Sequence, residues 1–262
     1  MDTNPAPSAD RRVVVMTAGG TNPQAVINAL AARFPELVVI REQPESKSRL
    51  VRRRARRVGW IAALGQLATM VASRLGKSAL KRRTQQILAE HGLSAEPNTA
   101  VETVHVPSLN DPTCHAAVAR LQPAVILTVS CRLLSRQTLS TISCPIVNLH
   151  AGINPMYRGQ AGGYWALAKG DPGNFGATLH LVDAGVDTGD TLYEVRTAPE
   201  KGDSMLTYPL LLTAAAMPLT LRAVEDALEG RLSPHKAEGT SAMHDNPTIW
   251  TWIWNGIAKG LW

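Results

Sequence analysis

Three short runs of this 262-residue chain are apolar without alternation: Val13-Val14-Val15-Met16, Leu37-Val38-Val39-Ile40 and Ala124-Val125-Ile126-Leu127. A strand with one wet face alternates apolar and polar residues, whereas a strand that is apolar throughout must be covered on both faces. The runs therefore predict an α/β fold: a Rossmann-like, mostly parallel sheet with helices on both faces. The connections agree. Val13–Thr17 leads into the glycine turn Ala18-Gly19-Gly20-Thr21-Asn22, and Gln24–Arg33 then places apolar residues at helical spacing. Thr21 or Asn22 is the expected N-cap, with Pro23 in the first turn.

Further strands are expected at Val101–Val106, Ala124–Val129 and Ile146–His150, with a helix after Asn110-Asp111-Pro112. Ala177–Asp183 and Asp190–Arg196 read as a hairpin. Met205–Leu228 reads as helix interrupted at Pro209 and Pro218, because proline removes a backbone donor. From Ser233 the chain reads as irregular, ending in the tryptophans 250, 252, 254 and 262.

Charge divides the chain unevenly. Residues 46–90 hold 12 Lys/Arg and one acidic residue, a local net of +11, while the rest carries 15 against 20, a net of −5. The overall +6 thus reflects one basic segment on a mildly acidic body, and a global polyanion-binding reading is excluded. Leu50–Arg57, Trp60–Arg83 and Gln85–His91 within this segment read as helices, broken at Gly59 and Gly76. No run of 18 uncharged apolar residues is present and the N-terminus lacks a signal core, so a cytoplasmic location is expected. Cys114, Cys131 and Cys144 are too few and too irregular for a disulfide framework or a zinc site, and no metal is expected.

The chemistry concentrates between Asn148 and Leu192. Asn148 and His150 lie two apart on a strand, hence on one face, at the strand's C-terminal end, where open α/β sheets bind ligands. An amide can steady an oxyanion while an imidazole moves a proton, which suits acyl chemistry. Asp187, in the turn Gly185-Val186-Asp187-Thr188-Gly189, would orient such a histidine and stabilise its charged form.

Four ordered elements, Asn148-Leu149-His150, Tyr157-Arg158-Gly159, Gly176-Ala177-Thr178 and Asp187-Thr188-Gly189, together resemble the formyltransferases that use 10-formyltetrahydrofolate. The resemblance implies that His150 handles a proton, Asp187 supports it and Asn148 stabilises the tetrahedral oxyanion. It implies a folate loop at Cys131, Arg132, Leu133 and Leu134, with Asp183 and Val186 opposite, and no metal. It places Gly20, Thr21, Asn22, Tyr157, Arg158, Gly159 and His180 toward the acceptor. Residues 1–11 are then a disordered tail, 12–200 a catalytic domain with a helical insertion at 42–95, and 201–262 a helical and irregular extension.

The family usually follows its catalytic histidine with Pro-Ser. Here the sequence is His150-Ala151-Gly152, with Gly162-Gly163-Tyr164-Trp165 beyond, as in the branch acting on bacterial surface-polysaccharide sugars. The expected acceptor is an amino sugar on a nucleotide diphosphate, such as GDP-perosamine; glycinamide ribonucleotide is the alternative. Methionyl-tRNA formyltransferases add a C-terminal β-barrel, which the roughly 66 residues after Arg196 do not resemble. A homodimer through the tail tryptophans and a peripheral membrane contact through residues 47–83 are the expected associations, with no specific nucleic acid. A purely binding module of the basic segment is a further alternative.

Overall fold

The computed structural model describes residues 11–76 and 80–262. The expected tail falls outside them, apart from Arg11, as do residues 77–79 of the expected Trp60–Arg83 helix. In chain order the elements are β1 Val13–Thr17, α1 Thr21–Ala31, β2 Val38–Glu42, α2 Lys47–Val58, α3 Trp60–Gly76, α4 Lys81–Glu90, β3 Glu102–Val106, α5 Pro112–Leu121 and β4 Val125–Thr128. They continue as α6 Arg136–Ser140, β5 Ile146–His150, β6 Arg158–Gly159, α7 Gly162–Ala168, β7 Gly176–Leu181, β8 Thr191–Arg196, α8 Tyr208–Leu228, β9 Met243–His244 and α9 Ile249–Lys259.

Seven strands form one sheet in the order β3-β2-β1-β4-β5-β7-β8. β3 to β5 are parallel; β7 and β8 run antiparallel as the expected hairpin. The apolar runs explain the layering. Val13 and Val15 join a core with Val26, Leu30 and the buried residues of α8, while Val14 and Met16 join a second core with Cys114, Val118 and Leu121 of α5. Each residue of β1 is buried, as an unalternating strand requires. β3, at the sheet edge, is largely exposed.

Local chemistry sets the helix starts. Asp111 accepts the Thr113 N–H at 2.9 Å, and Ser46 and Thr248 cap α2 and α9. Three expectations are corrected. The residue before α1 is Gly20, with no side-chain cap, so neither Thr21 nor Asn22 is the N-cap. Pro218 does not interrupt α8, which runs unbroken for 21 residues: Pro218 lies on its exposed side, and the burial of the opposite face outweighs one missing hydrogen bond. The tail is not irregular throughout, because α9 forms there and packs on α3, and β9 pairs with β6.

Candidate active site

The site lies at the C-terminal ends of β4 and β5 and is closed by the turn after β7. Parallel pairing sets Thr128 beside Asn148; antiparallel pairing sets His180 across from Asn148 and Thr178 across from His150. The Thr128 hydroxyl donates to Asn148 Oδ1 at 2.8 Å. That bond fixes the amide's orientation, so Asn148 Nδ2 faces His180 Nε2 at 3.0 Å and Asp187 Oδ1 at 3.3 Å.

His150 is buried, and its Nε2 lies 2.8 Å from the Tyr157 carbonyl. A carbonyl only accepts, so Nε2 carries the hydrogen and Nδ1 is the nitrogen left to take a proton. Nδ1 stands 3.5 Å from Asp187 Oδ2. The Asp187 backbone adopts a left-handed φ of 50°, which turns the carboxylate toward both histidines. Burial alone would raise its carboxyl. The charge of His150, hydrogen bonding to His180 and the Gly159 N–H at 2.9 Å outweigh burial and hold it at about 2.

The departure at His150-Ala151-Gly152 has a steric cause. A Cβ on Gly152 would lie 2.5 Å from the Tyr157 carbonyl oxygen and 2.7 Å from His150 Nε2; one on Gly162 would lie 2.7 Å from the Gly152 Cα. The two glycines let the start of α7 pack against the turn that holds His150.

One cavity of about 1000 Å³ gathers most of the expected residues. Asn148, His150 and Asp187 line it, as do Cys131, Arg132, Leu133, Leu134, Asp183 and Val186, together with Asn22, Gly159 and His180. Gly20, Thr21, Tyr157 and Arg158 do not line it. Gly20 and Thr21 begin α1. The Tyr157 hydroxyl donates to Asp171 at 2.7 Å, with its ring stacked on His244. Arg158 donates to the Val186 carbonyl at 3.0 Å and faces a second cavity of about 140 Å³ beside Asn154. Asp183 holds its own turn, accepting from Gly185 N and from the Thr188 hydroxyl.

The loop after β4 suits a flat, partly apolar heterocycle. Leu133 is exposed, and Val182 and Val186 also line the cavity. Glu42, buried at the end of β2, accepts from Arg132 N at 2.7 Å and pairs with its guanidinium at 2.5 Å. Asn110 donates to the Leu133 carbonyl and accepts from Ser135 N. The loop's backbone is thus held from both sides. Burial and the neighbouring Glu42 push the Cys131 thiol up to about 12, which makes it inert as a nucleophile. Among the described residues no group of three or more His, Cys, Asp or Glu is placed to hold a metal ion.

Several participants carried no local sequence signal. Thr128 and Glu42 are strand-end residues whose partners lie 20 and 90 positions away. The tail is another. Arg158 N and Gln160 N donate to the carbonyls of Ala242 and His244, Trp165 donates to the Asp245 carbonyl, and the Thr69 hydroxyl donates to that of Pro247. Residues 242–247 thereby strap the 158–165 segment to α3.

A family profile described as formyl transferase matches residues 11–208. The chain belongs to the formyl transferase family. A methionyl-tRNA formyltransferase of Clostridium botulinum is 34% identical over 122 residues, 45% of this chain and 38% of that protein. The first curated relatives of this family member are matched over only about two fifths of their own length. Among solved structures, glycinamide ribonucleotide transformylase 1 from Symbiobacterium toebii superposes with a TM-score of 0.56 at 19% identity, covering 87% of this chain and 94% of that one. A sugar N-formyltransferase from Shewanella gives 0.54 at 12% identity, covering 89% and 76%. These likenesses establish the shared formyltransferase fold.

Proposed function

We propose that this protein transfers a formyl group from 10-formyltetrahydrofolate to the amino group of a nucleotide-linked amino sugar, such as GDP-perosamine. The observation that carries the reaction is the cluster of Asn148, His150, His180 and Asp187 at one end of a cavity that also receives the loop at 130–134. The folate supplies an activated formyl carbon. The acceptor amine attacks that carbon, and a carbon–nitrogen bond forms. Asn148, oriented by Thr128, donates an N–H to the oxyanion as charge develops. His150 Nδ1 takes the proton lost by the amine, and the imidazolium faces the Asp187 carboxylate. The bond from the formyl carbon to the folate nitrogen then breaks, and the proton passes to that nitrogen.

Two features support the acceptor. The cavity is at the upper end of the usual range for ligand sites, about 300–1,000 Å³, which suits two substrates held together. Part of its wall is the cationic insertion, through Arg53, Arg54 and Arg57, which suits a diphosphate. Methionyl-tRNA is the second reading, because the curated relatives bear that name. The test incubates the enzyme and 10-formyltetrahydrofolate with GDP-perosamine, glycinamide ribonucleotide or methionyl-tRNA and weighs the products. A formyl adduct on the sugar nucleotide, abolished in His150→Ala, is expected. An adduct on glycinamide ribonucleotide or methionyl-tRNA alone overturns the proposal.

A further inference from the structure

Six of the seven cations of α2 are exposed; Arg54 is buried, with 6% of its surface accessible. Its neighbours on the cavity wall are neutralised: Arg53 pairs with Glu45 at 2.9 Å and Arg57 pairs with Asp245. Arg54 Nη1 reaches the Met70 sulfur at 3.2 Å and Nη2 reaches Gln160 Oε1 at 3.3 Å, and among the described residues no carboxylate pairs with it. Burial and repulsion from Arg53 and Arg57 work against its charge and outweigh the attraction of Glu45, which forms no ion pair with it. A buried guanidinium with only neutral acceptors is costly unless an anion arrives to complete it. Gln160 directly follows Gly159, whose N–H binds Asp187, so Arg54 is two residues' reach from the reacting centre.

We propose that Arg54 is the anion-recognition residue of the acceptor subsite, taking a phosphoryl group of the acceptor in a charge-assisted, forked hydrogen bond. The inference rests on the reading of a phosphorylated acceptor above and names the residue that reads it. It also gives this region a role: α2 adds a cationic wall to the cavity.

Calorimetric titration of the full chain with inorganic pyrophosphate and with GDP tests the subsite without any turnover. The wild type is expected to bind both, Arg54→Gln to bind about 10- to 100-fold more weakly, and Arg56→Gln, an exposed residue that does not line the cavity, within about threefold. Arg54→Met, which packs on Met70, repeats the measurement should the glutamine disturb the fold. Equal binding by wild type and both Arg54 variants overturns the proposal, as does a wild type that binds neither probe. A loss confined to 5-formyltetrahydrofolate, with pyrophosphate unchanged, assigns Arg54 to the folate carboxylates and also overturns it. Arg54-dependent pyrophosphate binding in a protein that formylates none of the acceptors leaves the subsite standing and refutes the reaction instead.

A different observation supports a second proposal. α3 and α9 pack together at Gly65, where an added Cβ would lie 2.3 Å from the Trp250 ring. Beside this contact Ile61 and Leu64 on α3 and Trp250, Ile253, Trp254 and Ile257 on α9 stand exposed, Ile61 by 79% and Ile257 by 73%. Their spacing, 61 and 64 on one helix and 250, 253, 254 and 257 on the other, forms one outward stripe on each. The exposed Arg49, Arg52 and Arg56 of α2 precede α3 directly. We infer that this face docks on an anionic membrane surface, the aromatic and aliphatic side chains entering the interface and the arginines meeting lipid phosphates. A second copy fits less well, because its own α2 would offer these arginines no opposite charge.

Co-sedimentation with vesicles of phosphatidylglycerol and phosphatidylcholine, against phosphatidylcholine alone, reads it out. Binding to the anionic vesicles is expected, falling about tenfold or more in Ile61→Ser with Ile257→Ser, and likewise in Arg49→Gln with Arg52→Gln and Arg56→Gln. Absence of wild-type binding, or binding that neither variant alters, overturns the inference. So does a dimer in sedimentation velocity that Ile257→Ser dissociates while vesicle binding is absent.

Discussion

The cluster around Asp187 in the sheet body and helix α2 treat charge in opposite ways. In the body, each buried ion named above meets a fitted partner: Glu42 meets Arg132, and Asp187 meets His150, His180 and the Gly159 N–H. Helix α2 carries seven cations and no acid, and its buried member, Arg54, ends on a thioether and an amide. The difference separates two tasks. A fully partnered cluster holds its proposed proton-handling groups in place before substrate arrives. An under-partnered cation waits for charge that the protein does not itself supply.

The body's side of that comparison breaks most sharply at Asp187. Asp187→Asn is expected to lower formyl transfer by about 10²–10⁴-fold, since an amide cannot stabilise the imidazolium. Its pH signature carries a sign. The folded carboxyl, near 2, lies below the ordinary aspartate value of about 3.9, so its contribution to stability is complete above pH 4 and vanishes as pH falls toward 2. The difference in urea midpoint between wild type and variant should narrow as pH falls below 4. A difference that stays constant down to pH 2 would refute the assigned ion cluster.

The same glycine-to-alanine change should behave differently in the two regions. At Gly152 the new Cβ meets the Tyr157 backbone oxygen and the buried His150 ring, neither of which can move freely. Gly152→Ala should cost about 1–3 kcal/mol and most of the activity. At Gly65 the Cβ meets the outer edge of a half-exposed Trp250 ring, which can swing toward solvent. There the gain in helix propensity, about 1 kcal/mol, offsets the displaced ring, so Gly65→Ala should leave stability within about 1 kcal/mol. Thermal melts of both variants check the contrast; equal losses would mean that α3 and α9 pack as rigidly as the sheet.

The contrast also shows what was legible in the residues. Runs such as Val13–Met16 announce a doubly covered sheet, because burial on two faces leaves a one-dimensional signature. Asn148 and His150 share a face by strand alternation, and Asp187 stands in a turn with two glycines, so each member of the candidate trio carried a local signal. Thr128, Glu42 and the 242–247 strap could not. Each acts through a partner distant in sequence, and a threonine or glutamate at a strand end looks the same whether or not a partner arrives. Pro218 misled because propensity is local while the burial of α8 is tertiary. In α2, composition showed seven cations but not which of them faces inward. That depends on how α2 rolls against α3, where Arg54 and Ala55 are the buried pair.

The smallest effect is expected at Arg53, one residue from Arg54. Its guanidinium bonds Glu45 at 2.9 Å, yet the Arg53 side chain is 59% exposed. Water screens that pair from the Arg53 side, although the Glu45 side chain is only 12% exposed, and the long arginine side chain gives up rotamer freedom to make it, so the pair contributes about 1 kcal/mol or less. Removing the cation also relieves repulsion from Arg52, Arg54 and Arg57, which works in the opposite direction. Arg53→Gln should therefore shift stability by no more than about 0.5 kcal/mol, and raising the salt concentration should shrink even that. Chemical denaturation at low and high salt measures both. A loss of several kcal/mol would show that the exposed arginines brace the insertion. The distinction drawn between its surface cations and its buried one would then fail.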